Sequence, residues 1–433
     1  MVFVAKLLGG SIMKKIWENY KSTIILLVAM IVGAIIGLVA GEKATVLSPL
    51  GDLYINLLMV VIVPLVFLTM VCSIAKMKQP KRLGKVMLTI VIVIILTSII
   101  SVLAGFLSTY FVKLVDTEDG EQIKASLELK DEANRETTEK KEEVSIPDQL
   151  VGLVTVNDFS KLLSRDNIIA ILVFAILFGF AINMAKEKGE PVLKFLESAN
   201  EVVLNLIKIT SYYAPIGLAC YLAALVGTFG ASIAIGYAKT FVYYNIVAIV
   251  FFVVVYTIYA FIAGKKKGVA TFWKHILAPA ATALATCSSG ASIPVSMEAA
   301  EKMGVSDDIA ATTVSIGTNF HKDGSIIGSV FKMMFLICLF GASVGGGAGV
   351  LQILGIALLA TLLVTAVPIG GGTISEMLII SMLGYPVAAL PILTMVATII
   401  DPLATVLNVT GNTANSMLVA RFVDGKDWME KKK

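Results

Sequence analysis

The sequence predicts an all-α integral membrane protein: eight transmembrane helices and two re-entrant helical hairpins, arranged as inverted repeats. Three observations carry this expectation. Hydrophobic residues make up 57% of the 433 positions and charged residues 15%, with a mean hydropathy of +0.88, which no ordinary soluble globule has. Apolar runs close to the ~20 residues needed to cross a bilayer recur along the chain and end in lysine clusters. In the C-terminal half, two stretches rich in Gly, Ser, Thr and Ala interrupt the apolar pattern, as irregular backbone does where it lines a cavity at membrane depth. The formal net charge of +4 lies at the ends of apolar runs and forms no continuous basic face, so no nucleic-acid partner is expected.

Residues 23–40, 53–74 and 86–112 form the first three spans. The link at 76–85, KMKQPKRLGK, is strongly basic, as are Lys14, Lys15 and Lys21, which puts this link and the N-terminus on the cytoplasmic side. The first 13 residues lack a convincing cleavage site, so a removed signal peptide is not expected. From 116 to 148 the composition turns to Glu, Lys, Asp, Thr and Gln; such a stretch buries too little apolar surface to make a core and is expected to be a solvated extracellular loop. Span four ends near Ala185. Span five, about 199–225, meets Pro215 after Tyr213 and Ala214, where a kink is expected. Span six, 242–262, runs into Lys265, Lys266 and Lys267 and ends in the cytoplasm, where both termini are placed. Cys72, Cys220, Cys287 and Cys338 have no paired spacing and are read as small buried residues.

The stretch 278–297, APAATALATCSSGASIPVSM, is too rich in small and hydroxylic residues for a lipid-facing helix. It reads as a re-entrant hairpin whose Ser288, Ser289 and Gly290 tip faces a binding site. A second interruption, VPIGGGTIS at 367–375, reads as another hairpin tip. Each hairpin precedes a polar helix. Span seven, about 309–340, holds GTNFHKDGS at 317–325, with His321, Lys322 and Asp323 adjacent in apolar surroundings. Ionisable residues at membrane depth cost several kcal/mol or more unless paired or wet, and the flanking glycines point to a broken helix. The last helix, 390–421, carries Asp401, Thr405, Asn408 and Asn412 at spacings of four, three and four, which puts them on one face. Hairpin tips and half-helix N-termini attract a carboxylate and Asp401 an ammonium, so the two poles fit a zwitterionic amino acid.

These residues resemble the dicarboxylate/amino acid:cation symporter family. The resemblance covers nearly the whole chain and rests on IVPLVF in span two, LTS at 96–98, YAPIG at 213–217, CSSGASIPV in the first hairpin and NVTGN at 408–412. It implies a homotrimer with an elevator movement. Scaffold and trimerisation helices would lie at 14–76 and 150–228 and a transport domain at 86–113 and 237–421, with hairpins at about 270–300 and 348–382. Carried over by position, Ser288, Ser289, Ser325 and Gly371 would contact substrate, Asp401 and Thr405 its amino group, and Asn408 its carboxylate. Thr97, Ser98, Gly317, His321, Lys322, Asp323, Asn408 and Asn412 would form the cation or coupling site. The resemblance implies a cell-membrane transporter of amino acids, with no cofactor beyond sodium ions or protons as coupling ions.

Departures from the family pattern sharpen these expectations. His321 and Lys322 replace an asparagine and a methionine, Asn412 an aspartate, Ala404 the arginine that binds an acidic side chain, and Ile94 a tyrosine. Without a guanidinium at Ala404 a bidentate partner for a side-chain carboxylate is missing, so the expected substrate is a small neutral amino acid; a glutamate, aspartate or dicarboxylate symporter is the alternative. Lys322 stands where it could act as a tethered cation, and an imidazole titrates near neutral pH, so coupling is expected to use protons or a reduced set of sodium ions. Lys332 and Glu376 lie towards segment ends and are expected to reach water. No enzyme is expected, since Ser288 with His321 is a nucleophile–base pair without an orienting group. His275 offers His321 no clustered metal partner. A non-transporting sensor or channel-like homologue is the alternative of another class.

Overall fold

Long runs of Val, Ile, Leu and Ala can satisfy their backbone in an apolar medium only within a helix or a closed barrel. The computed structural model describes residues 10–75, 84–116, 120–133, 155–164, 167–362 and 371–430, and among these every regular element is helical. In chain order they are α1 (Gly10–Ala40), α2 (Ser48–Ala75), α3 (Gly84–Tyr110), α4 (Gly120–Ala133), α5 (Ile168–Ala185), α6 (Glu190–Ser211), α7 (Ala214–Phe229) and α8 (Ala231–Val250). Then follow α9 (Tyr256–His275), α10 (Leu277–Thr286), α11 (Ile293–Lys302), α12 (Asp307–Phe320), α13 (Asp323–Leu339), α14 (Gly346–Leu362), α15 (Gly371–Leu383) and α16 (Leu390–Val423).

Among the described residues four helical runs are long and apolar enough to cross a bilayer: Ile24–Tyr54, Lys85–Tyr110, Ala231–Thr286 and Val387–Val423. A fifth candidate is a broken one, Val173–Ser211 with Ala214–Phe229, bent by 56°. The expected kink at Pro215 is this bend, with the proline in the first turn of α7, where its missing N–H costs nothing. Span six also changes pitch, passing through a π-helical turn at Phe251–Val255 and breaking at Gly264 and Lys265 inside α9. The expected first hairpin is α10 and α11, joined by a turn in which Cys287 takes a left-handed conformation. The tip of the second falls between α14 and α15, where residues 363–370 lie outside the described ones.

The contacts sort the helices into two groups. In one, α7 packs on α1 and α2, and α2 packs on α5 and α6; in the other, α3 and α8 to α13 surround α16, which also meets α15. Almost all of α16 from Ala404 to Ala420 is buried. That burial lets a helix with seven polar side chains between Ala404 and Ala420 persist, because neighbours supply partners that lipid lacks.

The polar 116–148 stretch corrects the sequence reading in part. Residues 120–133 form α4, which puts Ile123 and Leu127 inward, both buried, against the turn at Val387–Ala389 and against α13. Two apolar residues four apart make a helical stripe that the average composition conceals. Residues 134–148 lie outside the described ones. Cysteine burial is also less uniform than expected: Cys72 is buried, while Cys220, Cys287 and Cys338 are half-buried.

Candidate functional site

The helix expected to be broken at GTNFHKDGS is broken there: α12 ends at Phe320, His321 and Lys322 are non-helical, and α13 starts at Asp323. The break turns all three ionisable side chains inward and each is buried. Asp323 sits in the first turn of α13, where unpaired N–H groups and the helix dipole favour a carboxylate.

His321 is the hub. Its Nε2 lies 2.9 Å from Thr97 Oγ1 on α3 and 3.0 Å from Asp323 Oδ1, and its Nδ1 lies 3.0 Å from Asn412 Oδ1 on α16. Asn415 Nδ2 approaches both ring nitrogens at 3.3–3.4 Å and also Thr97 Oγ1 at 3.3 Å. Asp323 is held in turn by Ser101 Oγ at 2.5 Å and Tyr256 OH at 2.9 Å. One side chain thus ties α3, the break and α16 together. The backbone is fitted to this cage: a Cβ on Gly317 would collide with the Asn412 amide, and one on Gly411 with Asp323 Oδ2 and the Tyr256 hydroxyl.

Hydrogen-bond directions restrict what the ring carries. The Thr97 hydroxyl donates to Val93 O at 2.7 Å, so towards the ring its oxygen accepts and Nε2 bears a hydrogen, shared with Asp323 Oδ1. On the far side Nδ1 faces the Asn412 carbonyl oxygen, which calls for a second ring hydrogen. The oxygen and nitrogen ends of an amide are nearly alike in size, so the group fits the same space either way round. Turned by half a rotation, Asn412 would offer an N–H to a bare Nδ1, and among the described residues no partner pins its Nδ2 where it stands. The cage therefore has two consistent hydrogen-bond patterns that differ by one proton. Tyr256 adds a similar choice, since its single hydrogen serves either Leu407 O at 2.7 Å or Asp323 Oδ2.

The other expected residues are distributed around this hub. Ser98 is buried beside Thr97, and its Oγ finds no partner among the described residues. Lys322 is buried, and its carbonyl caps α13 by accepting from Ile326 N. Asn408 forms a two-way link with Ser325, accepting from its backbone N at 3.2 Å and donating to its Oγ at 3.0 Å. Thr405 is buried on the same helix, whereas Asp401 is exposed. The Ser288 Oγ accepts from Ala291 N at 3.3 Å within the hairpin tip, Ser289 is half-buried beside it, and Gly371 opens α15. The ladder on α16 thus divides: Asn412 joins the His321 cage, Asn408 the Ser325 link, and Asp401 an accessible surface.

Sequence reasoning missed Ser101, Tyr256 and Asn415. Two had a signal: Ser101 lies one turn from Thr97, and Asn415 continues the four, three, four spacing by three. It also misplaced Lys332 and Glu376. They do not reach water but form a buried pair at 3.4 Å, with Thr394 Oγ1 donating to Glu376 Oε2 at 2.8 Å, because α13 and α15 face each other at mid-helix. Among the described residues no group of three or more His, Cys, Asp or Glu side chains converges as a transition-metal site would. The donors around Asp323 are mainly hydroxyls and amides, which suit protons or hard cations.

A family model described as the sodium:dicarboxylate symporter family matches residues 23–422. A proton/sodium-glutamate symport protein of Bacillus subtilis (strain 168) is 26% identical over 399 residues, covering 91% of each chain. One of Geobacillus stearothermophilus is 27% identical, over 90% of this chain and 93% of its own. A C4-dicarboxylate transport protein of Anaeromyxobacter sp. (strain K) is 27% identical, over 92% of this chain and 88% of its own.

Proposed function

The chain belongs to the sodium:dicarboxylate symporter family, and from that premise we propose that it is a secondary transporter, not an enzyme, that carries a small solute bearing two carboxylates together with protons. The observation that carries the coupling is the His321–Asp323 pair, 3.0 Å apart and wholly buried at a helix break. Two hydrogen-bond patterns one proton apart suit a site that must load and unload. Substrate and proton would meet along α16, where the Asn408–Ser325 link lies one helical turn from Asn412. The scaffold and transport-domain division, elevator movement, homotrimer, plasma-membrane location and cytoplasmic termini belong to this same reading.

For the substrate, the relatives named above favour glutamate or a C4-dicarboxylate over the small neutral amino acid expected from Ala404. One observation supports the neutral reading: Ala404 is buried, with its backbone against Gly324, so α16 offers no guanidinium beside Asp401. Uptake into proteoliposomes decides. Glutamate, succinate, serine and alanine are each presented with and without sodium and with an inside-alkaline pH gradient. The expected result is uptake of an acid that rises with the pH gradient and does not require sodium. Sodium-dependent uptake indifferent to the gradient refutes the coupling, and uptake confined to serine or alanine refutes the substrate class.

A further inference from the structure

The α13 face that meets α15 and α16 carries Ser325, Ser329 and Lys332, spaced four and three apart, and each has a polar partner. Ser325 bonds Asn408, Ser329 lies 3.4 Å from Ser375, and Lys332 lies 3.4 Å from Glu376, itself bonded to Thr394. Moving up α13 from Ser325 to Lys332 therefore means moving back along α16 from Asn408 to Thr394, so the two helices are antiparallel. Thr394, Asp401 and Asn408 are seven apart and share one face. Asp401, the exposed one, sits midway between the Asn408 link and the Lys332 pair. The seam thus has a neutral amide end, a central carboxylate and an end where the Lys332 ammonium is paired with Glu376.

We propose that Lys332 recognises a second anionic group on the substrate, doing from α13 what a guanidinium at position 404 would have done from α16. This rests on the reading of the chain as a carboxylate transporter. Helical side chains lean towards the N-terminus of their own helix, so the Lys332 stem points down the seam towards Ser329 and Asp401. Its bond to Glu376 uses one of three ammonium hydrogens, and at 3.4 Å it is longer than the ~2.7–2.9 Å of a well-made charge-assisted bond. Glu376 is already served on its other oxygen by Thr394. An incoming carboxylate would complete the ammonium and leave Glu376 a partner, and Asp401 lies within Coulombic range of both charges. The ligand class is a short chain bearing two carboxylates, with or without an amino group for Asp401.

The test compares acid with amide on the purified full chain. Binding of glutamate against glutamine, and of succinate against its monoamide, is measured by ligand-induced thermal stabilisation. The wild type should favour each acid by about tenfold or more, the worth of one charge-assisted bond. In Lys332→Met/Glu376→Gln, which removes both buried charges together and so avoids leaving one uncompensated, the ratio should fall to near one. Glu376→Gln alone should raise it, and Lys332→Arg should retain it. A ratio measured within one variant does not depend on how much protein is folded, so a structural role alone leaves it unmoved. An unchanged ratio in the double variant overturns the proposal, as does a wild type that prefers the amides, prefers ornithine, or binds none of them. Acid binding without uptake would refute the transport reading while leaving Lys332 in its role.

Discussion

Replacing His321 by glutamine removes the imidazole from the cage while keeping an amide of similar reach. The ring makes contacts at 2.9 Å to Thr97, 3.0 Å to Asp323 and 3.0 Å to Asn412, and a single amide cannot replace all three. One unmade buried hydrogen bond costs about 1–3 kcal/mol, which a mostly buried helical assembly should survive. The functional loss is of another kind. If one proton travels with each substrate, each unit of pH gradient supplies about 1.4 kcal/mol, or roughly tenfold more accumulation. Proteoliposomes held at zero membrane potential read this directly as accumulated substrate against imposed gradient. The wild type should gain about tenfold per pH unit, and His321→Gln should give a flat line while still exchanging internal for external substrate. A variant that keeps the wild-type slope removes His321 from coupling, whatever else the ring does.

Gly411→Ala should be more damaging than its size suggests, because the new methyl meets Asp323 Oδ2 and the Tyr256 hydroxyl; overpacking of this kind costs about 1–3 kcal/mol, visible as a lowered melting temperature in detergent together with lost uptake. Lys322→Met combined with Asn412→Asp removes an ammonium and adds a carboxylate beside His321, so substrate uptake should become sodium-stimulated. If the sodium response stays as in the wild type, the idea that Lys322 stands in for a cation fails.

Much of the site was legible because membranes make charge conspicuous. GTNFHKDGS could be picked out, and its helix break anticipated, since three ionisable residues at that depth need partners and the glycines around them permit a break. The α16 ladder was legible from spacing, and Asn415 would have been found by carrying the spacing one step further. Tyr256 was not legible: it is 67 residues from Asp323 and reads as one more aromatic in an apolar run. Lys332 and Glu376, 44 residues apart, could be paired only once the antiparallel packing of α13 and α16 against α15 was known. Composition misled at α4, where an average over 33 residues hid two inward-facing side chains.

The placement of α4 sets a mechanical condition on any sliding of the two helix groups. It rests on the backbone at Leu339–Gly341 and on the turn that opens α16, so it belongs by packing with the α16 group. Beyond it, 21 residues separate Ala133 from Thr155 on the way to α5 in the other group. At 3.3–3.6 Å each they measure at most about 75 Å, more than twice the ~30 Å hydrocarbon thickness of a bilayer. The α4 end of this connection is anchored by two buried apolar side chains, Ile123 and Leu127, so if the two groups slide as proposed, cutting the 21 residues well below that length should cap the movement before it disturbs either substrate binding or the His321 cage.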